Sequence, residues 1–328
     1  MIAVTGANGL LGSFIVRKLL EQQAPFVALK RAGSDCSLLS DVADKVTWRE
    51  ASMADPLALG EALQDVTHVI HTAAVVSFNP RHRRKIYDVN VLGTRHVVNA
   101  CLENQVKRLL HVSSVAALGR TRGQQRVDEK SKWAESSLNT VYAETKHLAE
   151  LEVFRGQEEG LSTIIINPSV ILAPADWTKS SAQLFKYVWD EKPFYTDASL
   201  NYVDVRDVSE LVYRLLMAQL EEDRFIASAG NISFYEFFSK VARYFNKKNP
   251  HIKLDKNFLR VAAWVESIRA RITGIEPLIT SETARMAGMH FQYDNSKIKK
   301  TLNFEFQPIE NSIQWCTDYY IRKVNGKK

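Results

Sequence analysis

The first dozen residues constrain the fold most. Met1-Ile2-Ala3-Val4 reads as a short apolar strand, and Thr5-Gly6-Ala7-Asn8-Gly9-Leu10-Leu11-Gly12 turns it into an amphipathic helix that begins near Leu10. A strand that runs through spaced glycines into a helix is how α/β proteins build an anion site. Gly6 permits the tight turn, Gly9 lets the backbone approach a pyrophosphate, and Gly12 lets the helix lie close to the strand. The open N–H groups and the positive end of the helix dipole then face the phosphates. Gly6, Asn8, Gly9, Leu10, Leu11 and Gly12 are therefore candidate cofactor-binding residues. The spacing, G-x-x-G-x-x-G, is one residue longer in its first gap than the common dinucleotide fingerprint. The strand before it and the helix after it give the pattern its weight.

The rest of the N-terminal half repeats the strand–helix rhythm. Strands are predicted at 1–5, 26–30, 46–50, 68–72, 108–113 and 162–167, with helices near 10–23, 56–64, 81–104 and 140–159. Asp55-Pro56 reads as an N-cap followed by a first-turn proline. This alternation predicts an α/β protein with a Rossmann-type doubly wound parallel sheet, its ligand crevice at the carboxyl ends of the strands. After Pro168 loops lengthen and aromatic residues accumulate, and helices at 233–246 and 256–272 follow one another without clear strands. The expected division is a dinucleotide-binding domain over 1–168, to which later segments return, and a smaller, mainly substrate-binding lobe over 169–328.

Composition narrows the class of partner. A net charge of +6 is too modest to indicate nucleic acid and suits a polyanionic small ligand equally well. No apolar run approaches the roughly 20 residues that span a bilayer. A strand beginning at Ile2 leaves no room for a signal peptide, and the scattered Cys36, Cys101 and Cys316 suggest neither a disulfide framework nor a metal site. Together these predict a cytoplasmic protein.

The residue that ends the second strand, about 20 positions past the glycines, reads the adenosine ribose in such folds. Here Lys30 and Arg31 stand where an acid would exclude a 2′-phosphate. Two cations there favour NADP(H) over NAD(H). The second chemical signal is Tyr142-Ala143-Glu144-Thr145-Lys146. A tyrosine and a lysine four apart share one helix face, and an ammonium stabilises phenolate over phenol, which predicts a tyrosine pKa drawn toward neutrality. The pair follows, by one crossover, a strand that ends in Ser113-Ser114, so Ser114 is expected to hydrogen-bond the substrate oxygen that Tyr142 protonates.

These motifs resemble the extended short-chain dehydrogenase/reductases of the NAD-dependent epimerase/dehydratase superfamily, in the branch of dihydroflavonol-4-reductase-like and 3β-hydroxysteroid-dehydrogenase-like proteins. The resemblance runs nearly end to end. It rests on the glycine turn, His71-Thr72-Ala73-Ala74, Asn90-Val91-x-Gly93-Thr94, Ser113-Ser114, Tyr142-x-x-x-Lys146, Asn167-Pro168-Ser169-Val170 and Tyr202-Val203-Asp204-Val205-x-Asp207-Val208. It implies Tyr142 as catalytic acid/base, Lys146 on the nicotinamide ribose and Ser114 orienting the carbonyl. It further implies Thr72, Ala73, Ala74, Asn90 and Val112 beneath the cofactor, with Asn167, Pro168, Ser169 and Val170 as the wall near the carboxamide. Two departures stand out. Ser52, followed by Met53, occupies the place where the family often has an adenine-contacting Asp, and Ala173-Pro174 replaces a Gly-Pro.

The expected function is an NADP(H)-dependent oxidoreductase acting on a carbonyl or carbinol carbon of a medium-sized, partly apolar substrate. Phe78, Trp177, Phe185, Tyr187, Trp189, Phe194 and Tyr195 are available either to line such a site or to form core. Two alternatives stay open: a nucleotide-sugar epimerase or dehydratase with tightly bound NAD, and an NADP(H)-sensing binding protein. Other features are expected to be structural. These are His68, His71 and His111, a solvated Arg81-to-Lys85 helix face, and turn-fixing Asp204 and Asp207. The amphipathic stretch from Phe258 to Ile272 is expected to pack within the lobe, with a membrane surface as the alternative. No metal is expected, and a homodimer through helices 81–104 and 140–159 follows by analogy.

Overall fold

The N-terminal strands are apolar on both sides, which only a sheet covered on both faces can use. The computed structural model, which describes residues 1–77, 79–121, 123, 125–177, 181–255, 258–259 and 290–326, contains that sheet. In chain order the strands are β1 (Ile2–Thr5), β2 (Phe26–Lys30), β3 (Trp48–Glu50), β4 (His68–His71), β5 (Arg108–Val112), β6 (Arg126–Val127) and β7 (Thr163–Pro168). The second half adds β8 (Val170–Leu172), β9 (Phe194–Thr196), β10 (Ser199–Asp204), β11 (Asp223–Ala227), β12 (Gly230–Ser233), β13 (Ile252–Leu254) and β14 (Gln292–Tyr293). The seven-stranded sheet has the order β3-β2-β1-β4-β5-β7-β11, and every neighbouring pair is parallel.

The helices are α1 (Leu10–Glu21), α2 (Pro56–Ala62), α3 (Arg83–Tyr87), α4 (Gly93–Glu103), α5 (Val141–Glu158), α6 (Ala182–Trp189) and α7 (Val205–Met217). They continue with α8 (Phe234–Phe245), α9 (Ser296–Leu302) and α10 (Ile309–Asn325). Strand periodicity sends consecutive residues to opposite layers. Val4, Ala28, Ile70, Leu110 and Ile164 pack with Ile15, Val16 and Leu19 of α1 and Val208, Leu211 and Leu215 of α7. Their neighbours Ala3, Val27, Val69, Leu109 and Ile165 pack with Leu59, Val97, Val98 and Val153 of α2, α4 and α5. Asp55 caps α2, accepting from Ala58 N at 3.1 Å with Pro56 in the first turn, as its sequence predicts.

Two expectations change. First, the region after Pro168 is not poor in strands. β10 pairs with β8 and β12, β13 pairs with β9, and β11 returns to the central sheet beside β7. These strands span only three to six residues, too few to display a period against their polar flanks. Second, the helix expected over 81–104 is interrupted by a π-helical turn at Asp88–Leu92 that brings Asn90 inward. Of the two roles left open for the lobe aromatics, core packing accounts for Trp177, Phe185, Tyr187, Trp189 and Tyr195, whereas Phe194 is exposed. Trp177 stacks on Tyr320 at 4.0 Å, Phe185 meets Phe237 edge-on at 5.7 Å, and Tyr187 stacks on Phe238 at 5.4 Å. Phe78 lies outside the described residues, as does the helix expected over 256–272 apart from Phe258 and Leu259. Among the described residues no helix is long and apolar enough to cross a membrane.

Candidate active site

The glycine turn is as tight as its sequence demands. Gly6 has φ +67°, and a Cβ there would lie 2.7 Å from the Ala73 nitrogen. A Cβ on Gly12 would lie 2.1 Å from the Gly6 carbonyl oxygen, so the first turn of α1 can rest against the β1 end only without a side chain. Gly9 is the N-cap of α1 and brings no side-chain acceptor, leaving the N–H groups of Leu10 and Leu11 at an uncapped, positively polarised helix end. Asn8 donates to the Asp35 carbonyl at 2.9 Å, which ties this turn to the loop after β2.

At the adenosine end the two cations differ. Lys30 is drawn toward Glu50 at 3.7 Å and lies over the Trp48 ring, whereas Arg31 is exposed at the strand terminus. Ser52 turns inward on its own loop, accepting from Ala54 N at 3.2 Å, and the Met53 carbonyl meets His96 Nδ1 at 2.7 Å. Beneath the crevice, Thr72 Oγ1 donates to the Thr5 carbonyl at 2.8 Å. Asn90 spends its amide on the loop after β4, accepting from Val75 N at 2.8 Å and donating to Val75 O at 3.0 Å. It thereby pins the segment carrying Ala73 and Ala74.

Ser114 caps the short turn Val115–Leu118, accepting from Ala116 N at 3.2 Å, which fixes its hydroxyl just past the end of β5. Thr140 caps α5 through Ala143 N at 3.1 Å, so Tyr142 occupies the first turn of that helix. Tyr142 and Ser114 are joined by a side-chain hydrogen bond. Lys146 is only 2% exposed. Its ammonium donates to the Val112 carbonyl at 2.9 Å and approaches His111 Nε2 at 3.5 Å.

The electrostatics correct one expectation. Burial pushes the Tyr142 phenol up, and its bond to Ser114 only partly opposes this; Lys146 does not draw it toward neutrality. The reason is geometric, since the ammonium is turned to the strand-end carbonyl of Val112. Burial brings Lys146 itself down to about 8, with Glu150 opposing. His71 is held between Thr5 Oγ1 at 2.7 Å and Thr94 Oγ1 at 3.0 Å, and burial brings it down to about 3. His111 is likewise pushed far down by burial and by the Lys146 charge. Both imidazoles are neutral packing elements, and Asp204 fixes the start of α7 by accepting from Arg206 N at 2.8 Å.

The far wall gathers the ends of β7 and β11. Asn167 is fully buried, Pro168 closes β7 opposite Ala227, Ser169 is buried and Val170 is exposed. Ser113 Oγ, Asn167 Oδ1 and Ser169 Oγ are buried without a partner among the described residues. These orphaned atoms, with the side-chain-free cradle at Gly6 and Gly12, fit a dinucleotide laid across the strand ends. Sequence reasoning missed two charged residues of this region, Glu150 and Arg224, which pair at 3.2 Å. The available signal for Glu150 was its place four positions beyond Lys146, on the same helix face.

The sequence model of the NAD dependent epimerase/dehydratase family matches residues 2–226. Over 316 residues the chain is 28% identical to a Synechocystis sp. protein provisionally named dihydroflavonol 4-reductase, covering 94% of this chain and 91% of that protein. Among solved structures, gox2253 aligns with a TM-score of 0.84 at 31% identity, over 98% of both chains. WbmH of Bordetella bronchiseptica, solved in complex with NAD+, aligns with a TM-score of 0.76 at 20% identity, over 98% of both chains, a likeness of fold.

Proposed function

The chain belongs to the NAD dependent epimerase/dehydratase family, and from that premise we propose that it is an NADP(H)-dependent oxidoreductase of carbonyl or carbinol substrates. The observation that carries this reading is the hydrogen-bonded Ser114–Tyr142 pair above a buried Lys146 at the end of β5. A relative named for a reductase, similar over nearly the whole chain, favours net reduction or oxidation over an internal rearrangement.

Nicotinamide, when bound, supplies or takes up the hydride. The chain's own residues do the rest. The turn from Gly6 to Gly12 would receive the pyrophosphate, and the exposed Arg31 would supply charge and donors for a 2′-phosphate. Asn167, Ser169 and the backbone around Pro168 and Val170 border the carboxamide end. Ser114 orients the substrate oxygen, and Tyr142 Oη gives it a proton in reduction or removes one in oxidation. Lys146 would hold the ribose, its ammonium kept at the end of β5 by the Val112 carbonyl.

The test is a binding titration with NADPH and NADH, followed by a panel of ketones and secondary alcohols read by nicotinamide absorbance. Tighter NADPH binding and net turnover of one substrate class are expected. Tighter NADH binding would overturn the role given to Arg31. Cofactor that survives dialysis, together with turnover of a nucleotide sugar without net absorbance change, would replace the reductase reading by an epimerase.

A further inference from the structure

The buried face of α5 carries a third ionisable side chain below Tyr142 and Lys146. Glu150 lies one turn beyond Lys146, and its side chain is fully buried. A carboxylate at that depth is costly unless its oxygens are matched. Oε1 accepts from Asn167 Nδ2 at 2.6 Å, and Oε2 accepts from Arg224 Nη1 at 3.2 Å. Arg224 also donates to the Glu129 carbonyl, and the Glu129 carboxylate accepts from Ile226 N at 2.9 Å. The second proton of the Asn167 amide goes to the Ser114 carbonyl at 2.8 Å. Turned over, that amide would set its oxygen against a carboxylate and a carbonyl, so its orientation is fixed. Asn167 near the end of β7 and Arg224 near the start of β11 therefore converge on one carboxylate, and Asn167 extends the link to the segment after β5.

We infer that Glu150 is a positioning residue of this site: through Asn167 it fixes the segment that carries Ser114, and it sets a countercharge beside Lys146. The inference rests on the roles proposed above for Ser114, Tyr142 and Lys146. The titratable groups that act on Lys146 are His111 from β5, His71 from β4 and Glu150 from α5, with Arg224 of β11 beyond the carboxylate. Both histidines are kept neutral by burial. Glu150 is thus the group that favours a charged lysine against the cost of burial. Its carboxylate also faces His147, half-buried on the same helix.

The test is Glu150→Gln in the full chain. Carbon-13-labelled lysine is followed by NMR without cofactor, with the Lys146 signal assigned by its loss in Lys146→Arg. The wild-type inflexion is expected near pH 8. Removing one charge at this range should move it down by about one unit, roughly tenfold in the ionisation constant. The alkaline limb of the kcat profile should move with it. An unmoved inflexion, or one that moves without the limb, overturns the inference; a uniform loss of activity at every pH would mark a merely structural residue. If the single variant does not fold, Glu150→Gln combined with Arg224→Gln removes the arginine charge that Glu150→Gln alone would strand, and is read the same way. Absence of nicotinamide-dependent turnover in the wild type would sink the oxidoreductase reading alone, because the lysine titration needs no substrate.

Discussion

Tyr142 keeps its proton through neutral pH, because burial raises its pKa more than the bond to Ser114 lowers it. In this state the phenol is a donor, which suits reduction of a carbonyl. Tyr142→Phe removes the proton and almost none of the volume. It is expected to lower kcat about a hundred- to ten-thousand-fold, with NADPH affinity within about twofold of wild type by calorimetry. A matching loss of affinity would place the hydroxyl in cofactor binding and not in proton transfer. Arg31 offers a separate test. It is exposed, while Lys30 is engaged by Glu50. Arg31→Ala should weaken NADPH by about tenfold or more, the worth of charge-assisted hydrogen bonds to phosphate, and leave NADH unchanged. At this scale the sequence disclosed which side chains share a helix face, since four-residue spacing is a local property. It did not disclose that the Lys146 ammonium bonds to the Val112 carbonyl, because that partner comes from a different strand.

The glycine turn shows how an element can be legible where a single contact is not. Gly6 and Gly12 meet backbone of their own turn and of the segment after β4, so the residue type itself records the approach. Gly12→Ala would drive a Cβ to 2.1 Å from the Gly6 carbonyl oxygen, a contact with backbone that cannot swing aside. The turn must open, so nicotinamide dinucleotide binding should fall below detection by fluorescence titration. Stability should drop by about 2–4 kcal/mol in urea unfolding, the range of severe strain. Retained binding would show that the α1 terminus does not receive the cofactor. The π turn at Asp88–Leu92 is the opposite case. Its cause is the Asn90 amide closing on the Val75 backbone at 2.8 Å and 3.0 Å, and nothing in the local apolar pattern announces a contact made with another segment.

Across the whole molecule, the chain beyond Pro168 contributes a strand to the central sheet as well as building the lobe. The acidic run Glu221-Glu222-Asp223 leads into β11, whose first residue is Asp223, and its charges mask a five-residue strand in any apolar profile. α7 packs on α1, and its N-terminal end is tied both to α10 and to the segment before it. Asp204 accepts from Ser312 Oγ at 2.6 Å, and Asp207 accepts from Gln307 N at 2.8 Å. Burial raises Asp207 to about 6, and the nearby Asp204 adds to the rise, against the Gln307 bond and Arg206. Because this carboxyl is harder to ionise folded than unfolded, the unfolded chain releases its proton first as pH rises. The native state therefore loses stability between the ordinary carboxylate range near pH 4 and about pH 6, and the cost stays constant above. Asp207→Asn keeps an oxygen for the Gln307 N–H and removes the charge. Its Tm should match wild type near pH 4 and exceed it at pH 7 by about two degrees, on the order of 1 kcal/mol after discounting for the water and the arginine that share the field. A variant that is less stable at pH 7 than at pH 4, relative to wild type, would mean that the ionised carboxylate strengthens the clamp between the sheet domain and the C-terminal helix.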